Sequence, residues 1–552
     1  TVTGSVYSCD VTGLVNGTTY YFAVTASNPG GESGYSNEIS VTPQAAAPGA
    51  PTGVTAAGGN TKVSLSWNST VAGDVYSYEA EGLTNGVVYY FVIKASNAGG
   101  DSPYSAEVTA TPYRPSSGGS GDSSTPSTPP AQPANPGVEI LINGKAETAA
   151  TATTTQEGDK TVTTVVVDDE KVEERLEQEG SNAVVTILVN NGADVVIGTL
   201  NGQTVRNMEN LEAVLEIITG SVTYTLPASQ INIDTVSEQI GKQLELKDIA
   251  VSVKISEPTA DTVKIVEDTA NKNNYQIVVK PVEFEITCSS GNKTVEVSKF
   301  SVYVKRLVAI PEGIDPSKIT TGIILNEDGS FSHVPTAIII IDGKYYAKVN
   351  SLTNSVYSVI YSPKAFQDVE AHWAKDAVND MGSRLVISGV GEDKFEPDRD
   401  ITRAEFAAIA VRALGLMRPG TGKDVFNDVP KDAWYYDAVA IAYEYDLIAG
   451  YGSGQFGPMD KITREQAMTM VARAMKITKL EAGMTDSEES KVLAAFTDAN
   501  STADYAKTGI AACVKTGIIS GRSQTTLAPK DDITRAEVAV IVRRLLQQSG
   551  LI

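Results

Sequence analysis

Three short segments near the C-terminus carry the residue types best suited to chemistry. They read Ile401-Thr402-Arg403-Ala404-Glu405, Ile462-Thr463-Arg464-Glu465-Gln466 and Ile533-Thr534-Arg535-Ala536-Glu537. In each, a threonine three residues ahead of Glu or Gln forms a capping box at a helix start. The arginine then falls in the first helical turn, where positive partial charge already gathers and a cation is disfavoured. Three violations of a local rule at the same place point to function. A guanidinium beside free helix N–H groups is an anion site, and its planar fork suits a carboxylate held bidentately. The competing reading is that Arg403, Arg464 and Arg535 pair with nearby acids, Asp398, Asp400, Asp460 or Asp531, and brace the loop.

The elements that must position these arginines repeat in register, and such repeats are informative about fold. Each unit opens with Phe-x-Asp: Phe366 and Asp368, Phe426 and Asp428, Phe496 and Asp498. An amphipathic helix follows. Its expected inner stripe is Trp373, Ala377, Val378 and Met381, then Trp434, Ala438, Val439 and Ala442, then Tyr505, Gly509, Ile510 and Cys513. These are helical spacings of one buried face. A Gly-rich loop comes next, with Gly389, Phe395 and Pro397 matched by Gly450, Phe456 and Pro458 and by Gly521, Leu527 and Pro529. The arginine segment and a second amphipathic helix close each unit.

Residues 366–552 resemble three S-layer homology domains on these motifs: the opening Phe-x-Asp, the helix tryptophan, the loop glycine and Ile-Thr-Arg-Ala-Glu. The resemblance implies an all-α, three-unit helical prism that binds secondary cell-wall polysaccharide, often bearing pyruvate ketals, in grooves between units. A pyruvyl carboxylate suits the arginine site. On that reading Asp368, Asp428 and Asp498 accept sugar hydroxyls or cap the next helix. Trp373 and Trp434 offer a ring face to a sugar or pack in the core. Gly389, Gly450 and Gly521 serve backbone conformation first and close ligand approach second. Arg403 and Arg464 are expected to dominate. The third unit departs from the pattern at Leu527 and Tyr505, which leaves Arg535 the weaker candidate, and the second has Glu465-Gln466 for Ala-Glu.

Upstream, the chain reads as β. Two similar segments run from Leu14 and from Leu83, each an Asn-Gly turn (Asn16-Gly17, Asn85-Gly86), an aromatic strand and a Gly-rich turn. They resemble late strands of fibronectin type III domains, with Tyr20, Tyr89 and Trp67 at the family's aromatic positions. The first copy lacks its opening strands and the second is short. Residues 114–136, rich in Ser, Gly, Pro and Thr, read as an extended linker. Residues 137–362 alternate as strands at Thr161–Val167 and Tyr275–Lys280. Ala337–Ile341 reads as a buried strand, Asp328-Gly329 and Asp342-Gly343 as turns, and Asp169–Glu179 and Asp234–Leu244 as helices.

The expected architecture is therefore multidomain: partial and short fibronectin III-like β-sandwich modules at 1–43 and 48–113, the linker, one or two β-rich domains at 137–362, and helical units at 363–417, 424–478 and 494–552. Composition bounds the function. The 552 residues carry a net charge of -23, which argues against nucleic-acid binding, since phosphate contact needs a basic surface. Cys9, Cys288 and Cys513 are scattered and support neither a disulfide framework nor a zinc site. The two histidines, His333 and His372, are far apart. Asp393–Asp400 lacks a regular calcium loop, and no Walker, GxSxG or HExxH motif is present. No apolar run reaches the roughly 18 residues of a membrane helix. The chain begins inside a domain and reads as a fragment. The expectation is a non-enzymatic extracellular anchor at the cell wall, whose partner is secondary polysaccharide attached to peptidoglycan, with no cofactor, metal or nucleic acid. Two alternatives are an extracellular polysaccharide-active enzyme with its catalytic part upstream or in 137–362, and a lattice-forming S-layer subunit.

Overall fold

β-Branched and aromatic runs set the architecture up to residue 361, and Ala-rich amphipathic runs set it beyond. The computed structural model describes residues 137–552 apart from 242, 243, 342 and 392, together with short stretches between 19 and 110. Residues 1–131 and 132–552 form two compact units.

In the first unit the described strands are antiparallel. Tyr20–Phe22 pairs with Ile39–Val41, and Tyr89–Phe91 with Val108–Ala110. Thr52–Gly58, Lys62–Asn68 and Val75–Glu81 form a three-stranded sheet. Val63 and Leu65 of this sheet cluster with Ala110 of the neighbouring strand pair, and the Thr84 N–H donates to the Tyr89 hydroxyl at 2.9 Å. The two Asn-Gly turns, Cys9 and the 114–136 linker lie outside the described residues.

The second unit begins with two broad mixed sheets. The first runs in the order 145–147, 138–142, 184–189, 214–218, 222–227, 299–309, 344–353 and 336–341. The second runs 150–157, 160–167, 195–201, 250–256, 276–290, 356–361, 321–325 and 331–334, with 293–296 also on 276–290. Val184–Val189 with Val214–Ile218, and Lys160–Val167 with Val195–Asn201, are parallel pairs; the others are antiparallel. One hydrophobic core joins both sheets. The faces meet closely, since a Cβ on Gly198 of the second sheet would lie 2.7 Å from Ile187 Cδ1 of the first. Sheet-on-sheet packing of this kind buries alternate residues of every strand.

Helices cover the sheets. Asp169–Glu179 forms as expected, because the Asp168 side chain accepts the Lys171 N–H and Gly180 ends it. The helix expected over Asp234–Leu244 is shorter, Ile233–Ile240, stopped by Gly241. Gly202–Asn210 and Ala260–Lys272 add two more. Ala337–Ile341 is not buried as expected. Its strand lies at the edge of the first sheet and Ile340 is 59% exposed. Cys288 and Cys513 are fully buried small apolar residues, and burial pushes each thiol up to about 12.

A second hydrophobic core belongs to the C-terminal helices, and the β layers dock on its first unit. The Tyr303 hydroxyl donates to the Leu414 carbonyl at 2.9 Å, and Arg384 donates to the Thr336 carbonyl at 3.1 Å. His333 is buried near this junction, its Nδ1 2.8 Å from Thr321 Oγ1. Burial, aided by the charge of Arg384, lowers its pKa to about 3. The folded state therefore refuses a proton that the unfolded chain accepts below about pH 6.5, so His333 costs stability as pH falls through that value. We expect His333→Gln to remove about 2 kcal/mol of the stability lost between pH 6.5 and 5, read from urea midpoints across that range.

Candidate functional site

The three arginine segments meet around one axis. The Ile401 N–H donates to the Ile533 carbonyl at 3.0 Å, Ile533 to Ile462 at 3.1 Å, and Ile462 to Ile401 at 3.2 Å. This closed ring of backbone bonds joins units far apart in sequence, and all three isoleucine side chains are fully buried. The helices Arg403–Ala413, Arg464–Ile477 and Arg535–Gln548 leave the ring, each starting with the expected capping box.

The first N–H groups of these helices are not free for an anion. The Arg403 N–H donates to the Asp460 carbonyl and the Ala404 N–H to Pro458; Arg464 and Glu465 donate to Asp531 and Pro529; Arg535 and Ala536 donate to Arg399 and Pro397. Each helix thus caps itself on the loop of the next unit, which corrects the expectation of open N–H groups. Nor do the arginines pair with Asp398, Asp400, Asp460 or Asp531. Their side chains are 3–7% exposed, and burial lowers all three pKa values. Arg403 Nε donates to the Phe456 carbonyl at 2.9 Å, Arg464 Nε to Leu527 at 2.9 Å, and Arg535 Nε to Phe395 at 2.8 Å. Hydrogen bonding to carbonyls and stacking on Phe456 and Phe395 offset the unfavourable placement at a helix N-terminus.

What remains of each guanidinium faces a groove built by all three units. One groove, about 220 Å³, has the Gly389 loop and second helix of unit one, Trp434 of unit two and Arg535 of unit three. Another, about 350 Å³, has the Gly521 loop and second helix of unit three, Trp373 of unit one and Arg464 of unit two. The repeat offsets give the counterpart around Gly450, with Tyr505 and Arg403. The Arg403 guanidinium lies 4.5 Å from the Tyr451 ring, and its Nη2 donates to the Ala449 carbonyl at 3.0 Å.

The aromatic residues were expected on the buried stripe, and this is corrected. Trp373, Trp434 and Tyr505 are 66%, 59% and 58% exposed. Both tryptophans precede their helices, Lys375–Ser383 and Tyr436–Glu444, so helical periodicity does not govern where they point. Asp368, Asp428 and Asp498 neither cap the next helix nor stand free. Each carboxylate accepts two main-chain N–H groups of its own loop, from Phe395 and Glu396, Phe456 and Gly457, and Leu527 and Ala528, at 2.7–3.0 Å. Gly389, Gly450 and Gly521 do not adopt positive φ. They are required sterically: a Cβ on Gly450 would lie 2.6 Å from the Phe426 ring and 2.5 Å from the Gln455 carbonyl.

Two further sets of residues shape the grooves. The capping glutamates also pair across units, Glu405 with Arg535 at 3.0 Å and Glu537 with Arg464 at 2.6 Å. Arg412 and Arg544 line the same two grooves, and Arg473 occupies the matching position in the second unit. Their common offset from the first arginine was the signal that could have found them. In the second unit Gln466 replaces the capping glutamate, and Arg403 makes no ion pair among the described residues. The displaced acid, Glu465, is 5% exposed at the next seam. It accepts from the Ala503 N–H at 3.0 Å, from Lys530 at 2.6 Å and from the Tyr505 hydroxyl at 3.3 Å.

The sequence matches the S-layer homology domain at residues 365–407, 425–468 and 495–539. Over 320 residues the chain is 28% identical to an amylopullulanase of Thermoanaerobacterium thermosulfurigenes, covering 56% of this chain and 16% of that protein. It is 34% identical over 179 residues to the surface-layer 125 kDa protein of Lysinibacillus sphaericus, covering 32% and 14%. It is 30% identical over 169 residues to a cellulosome-anchoring protein of Acetivibrio thermocellus, covering 30% and 36%. The chain thus spans a minor part of each relative. It is a cell-surface protein with three S-layer homology domains at its C-terminus. No helix among the described residues is long and apolar enough to cross a membrane.

The seams carry a pH dependence. Burial raises the Glu405 carboxyl, but bonds from Arg399 and the Thr402 N–H and the charge of Arg535 outweigh it, and its pKa is lowered. Glu537 is lowered likewise, burial being outweighed by Arg522, the Thr534 N–H and Arg464. A depressed carboxyl stabilises the fold above its unfolded pKa, about 4.3, and loses that stability as pH falls through the folded value. We expect Glu405→Gln and Glu537→Gln each to cost about 1.5–3 kcal/mol at pH 7 and to flatten acid destabilisation below about pH 4.3, read by thermal unfolding.

Proposed function

We propose that the three S-layer homology domains hold this chain non-covalently on secondary cell-wall polysaccharide attached to peptidoglycan. The observation that carries this reading is the composite groove: an exposed aromatic from one unit, a buried guanidinium from another and a glycine loop from the third. An aromatic face covers the apolar side of a sugar ring, and a guanidinium takes a carboxylate such as a pyruvate ketal. Several weak grooves on one repeating polymer gain avidity of roughly 10²–10⁴ without new contacts.

The grooves are not equivalent in this reading. Arg535 and Arg464 each have an ion-pair partner, Glu405 and Glu537, which they share with Arg399 and Arg522, whereas Gln466 leaves Arg403 with no such partner among the described residues. The carboxylate-reading site is therefore the Arg403 groove, with Gly450, Tyr451 and Tyr505. The grooves of Trp434 and Trp373 take sugar rings with less demand for charge. The upstream segments serve as fibronectin III-like spacers, and 137–362 as the β-rich part that the anchor carries.

A second reading has one observation in its favour. The likeness to the amylopullulanase extends over 320 residues, more than the anchor region contains, so it reaches the upstream modules. On that reading the chain is the wall-binding end of a polysaccharide-active enzyme.

The test is binding to sacculi that carry the polymer and to sacculi stripped of it. Gln466→Glu would place a carboxylate against Arg403 while keeping the capping box. We expect it to weaken polymer-dependent binding about tenfold while thermal stability is kept or raised, and Trp373→Ala with Trp434→Ala to weaken it further. Equal binding to stripped walls sinks the anchor reading; full binding by Gln466→Glu sinks the role given to Arg403.

A further inference from the structure

Outside the grooves, a cleft of about 520 Å³ opens where the β layers meet the connection between the first and second helical units. That volume lies within the roughly 300–1,000 Å³ usual for small-molecule sites. Its wall holds two asparagines with opposite unmet needs. Asn354, 7% exposed, has its amide orientation fixed, because Oδ1 accepts from Arg306 at 2.6 Å and from the Tyr224 hydroxyl at 2.8 Å. Its Nδ2 has no partner. Asn326, 8% exposed, spends Nδ2 on Ser330 Oγ at 3.0 Å and Ser332 Oγ at 2.9 Å, which leaves Oδ1 without a partner. Both orphan atoms are buried, and no protein group satisfies them. Buried polar groups in this state are rare and call for an explanation.

The frame that presents Asn354 is rigid. Arg306 is fully buried, with its guanidinium 4.7–5.0 Å from the rings of Tyr224, Phe284 and Tyr357, and it also donates to the Thr353 carbonyl at 2.8 Å. Beside it, Arg418 donates to Thr353 Oγ1 at 2.7 Å and to the Met417 carbonyl at 2.6 Å. It makes no ion pair among the described residues, and burial lowers its pKa. Four glutamates, Glu283, Glu285, Glu296 and Glu327, and one lysine, Lys299, also line the cleft. The acids of the cleft do not form a metal-ligand set among the described residues.

We propose that this cleft is a saccharide site, separate from the three grooves. A sugar presents hydroxyl or acetamido groups that donate and accept side by side, and this is the complement of one orphan donor and one orphan acceptor. The carboxylates accept from hydroxyls and disfavour a polyanion, while the unpaired polar atoms disfavour an apolar guest. A shift of the cleft wall brings the ligand to Asn354 Nδ2 and Asn326 Oδ1, driven by satisfying both. Occupancy would join the β layers to the connection that carries Arg418.

The test is calorimetric titration of the full chain with two probes, N,N′-diacetylchitobiose and cellobiose. Asn354→Asp keeps the oxygen that Arg306 and Tyr224 use and adds a charge partner for Arg306, so the fold is retained while the donor is lost. Thr421→Trp, on the exposed rim, blocks the cleft without entering the core. We expect at least one disaccharide to bind. Affinity should fall about tenfold or more in Asn354→Asp, vanish in Thr421→Trp and stay unchanged in Gln466→Glu. Binding of the acetamido probe alone assigns the orphans to an acetamido group, and binding of both assigns them to hydroxyls. Binding of neither probe, binding unchanged in both cleft variants, or binding lost in Gln466→Glu overturns the proposal.

Discussion

The ring of backbone hydrogen bonds among Ile401, Ile462 and Ile533 is the constraint on which the C-terminal region depends. It brings three helix starts to one axis, so each helix must satisfy its first N–H groups on a neighbour. The arginines follow from that geometry. Each reaches across a seam to the carbonyl of the neighbouring loop. Without the ring, a guanidinium at a helix N-terminus would oppose the helix dipole with nothing to offset it.

The same geometry makes the grooves composite. Residues adjacent in one repeat are dispersed, so Trp373 and Arg403 of unit one serve different grooves. A substitution in one unit is therefore felt in another's groove. The exchange of Ala-Glu for Glu465-Gln466 shows this. The carboxylate no longer pairs with Arg403 and instead accepts from Ala503, Lys530 and the hydroxyl of Tyr505, the aromatic of the Arg403 groove. The stability of one interface and the charge of another groove change together.

The β layers obey a different logic. Their core is continuous across both sheets, yet it includes Arg306, an arginine held by aromatic faces and carbonyl groups. Such a group is expensive to bury; its Nη atoms donate to the Val304 and Thr353 carbonyls and to Asn354, while Nε has no partner. It determines which way Asn354 points, and so what the neighbouring cleft offers.

Much of this was legible in the sequence. The triplication, the capping boxes, the 169–179 helix and the main strands follow from spacing, because periodicity and caps are local properties of the chain. Ile233–Ile240 was shortened by Gly241, also a local effect. What sequence could not decide was direction and partnership. Trp373 fits a buried stripe by spacing but lies in a turn before its helix; Ala337–Ile341 looks buried but falls at a sheet edge. The partners of Arg403, Arg464 and Arg535 are backbone carbonyls, which carry no residue-type signal. By itself the sequence determined the repeated units and the residues in them. Only the tertiary structure decided which unit supplies each wall of a groove and which arginine is left without an ion-pair partner, because those depend on closure of the chain around an axis.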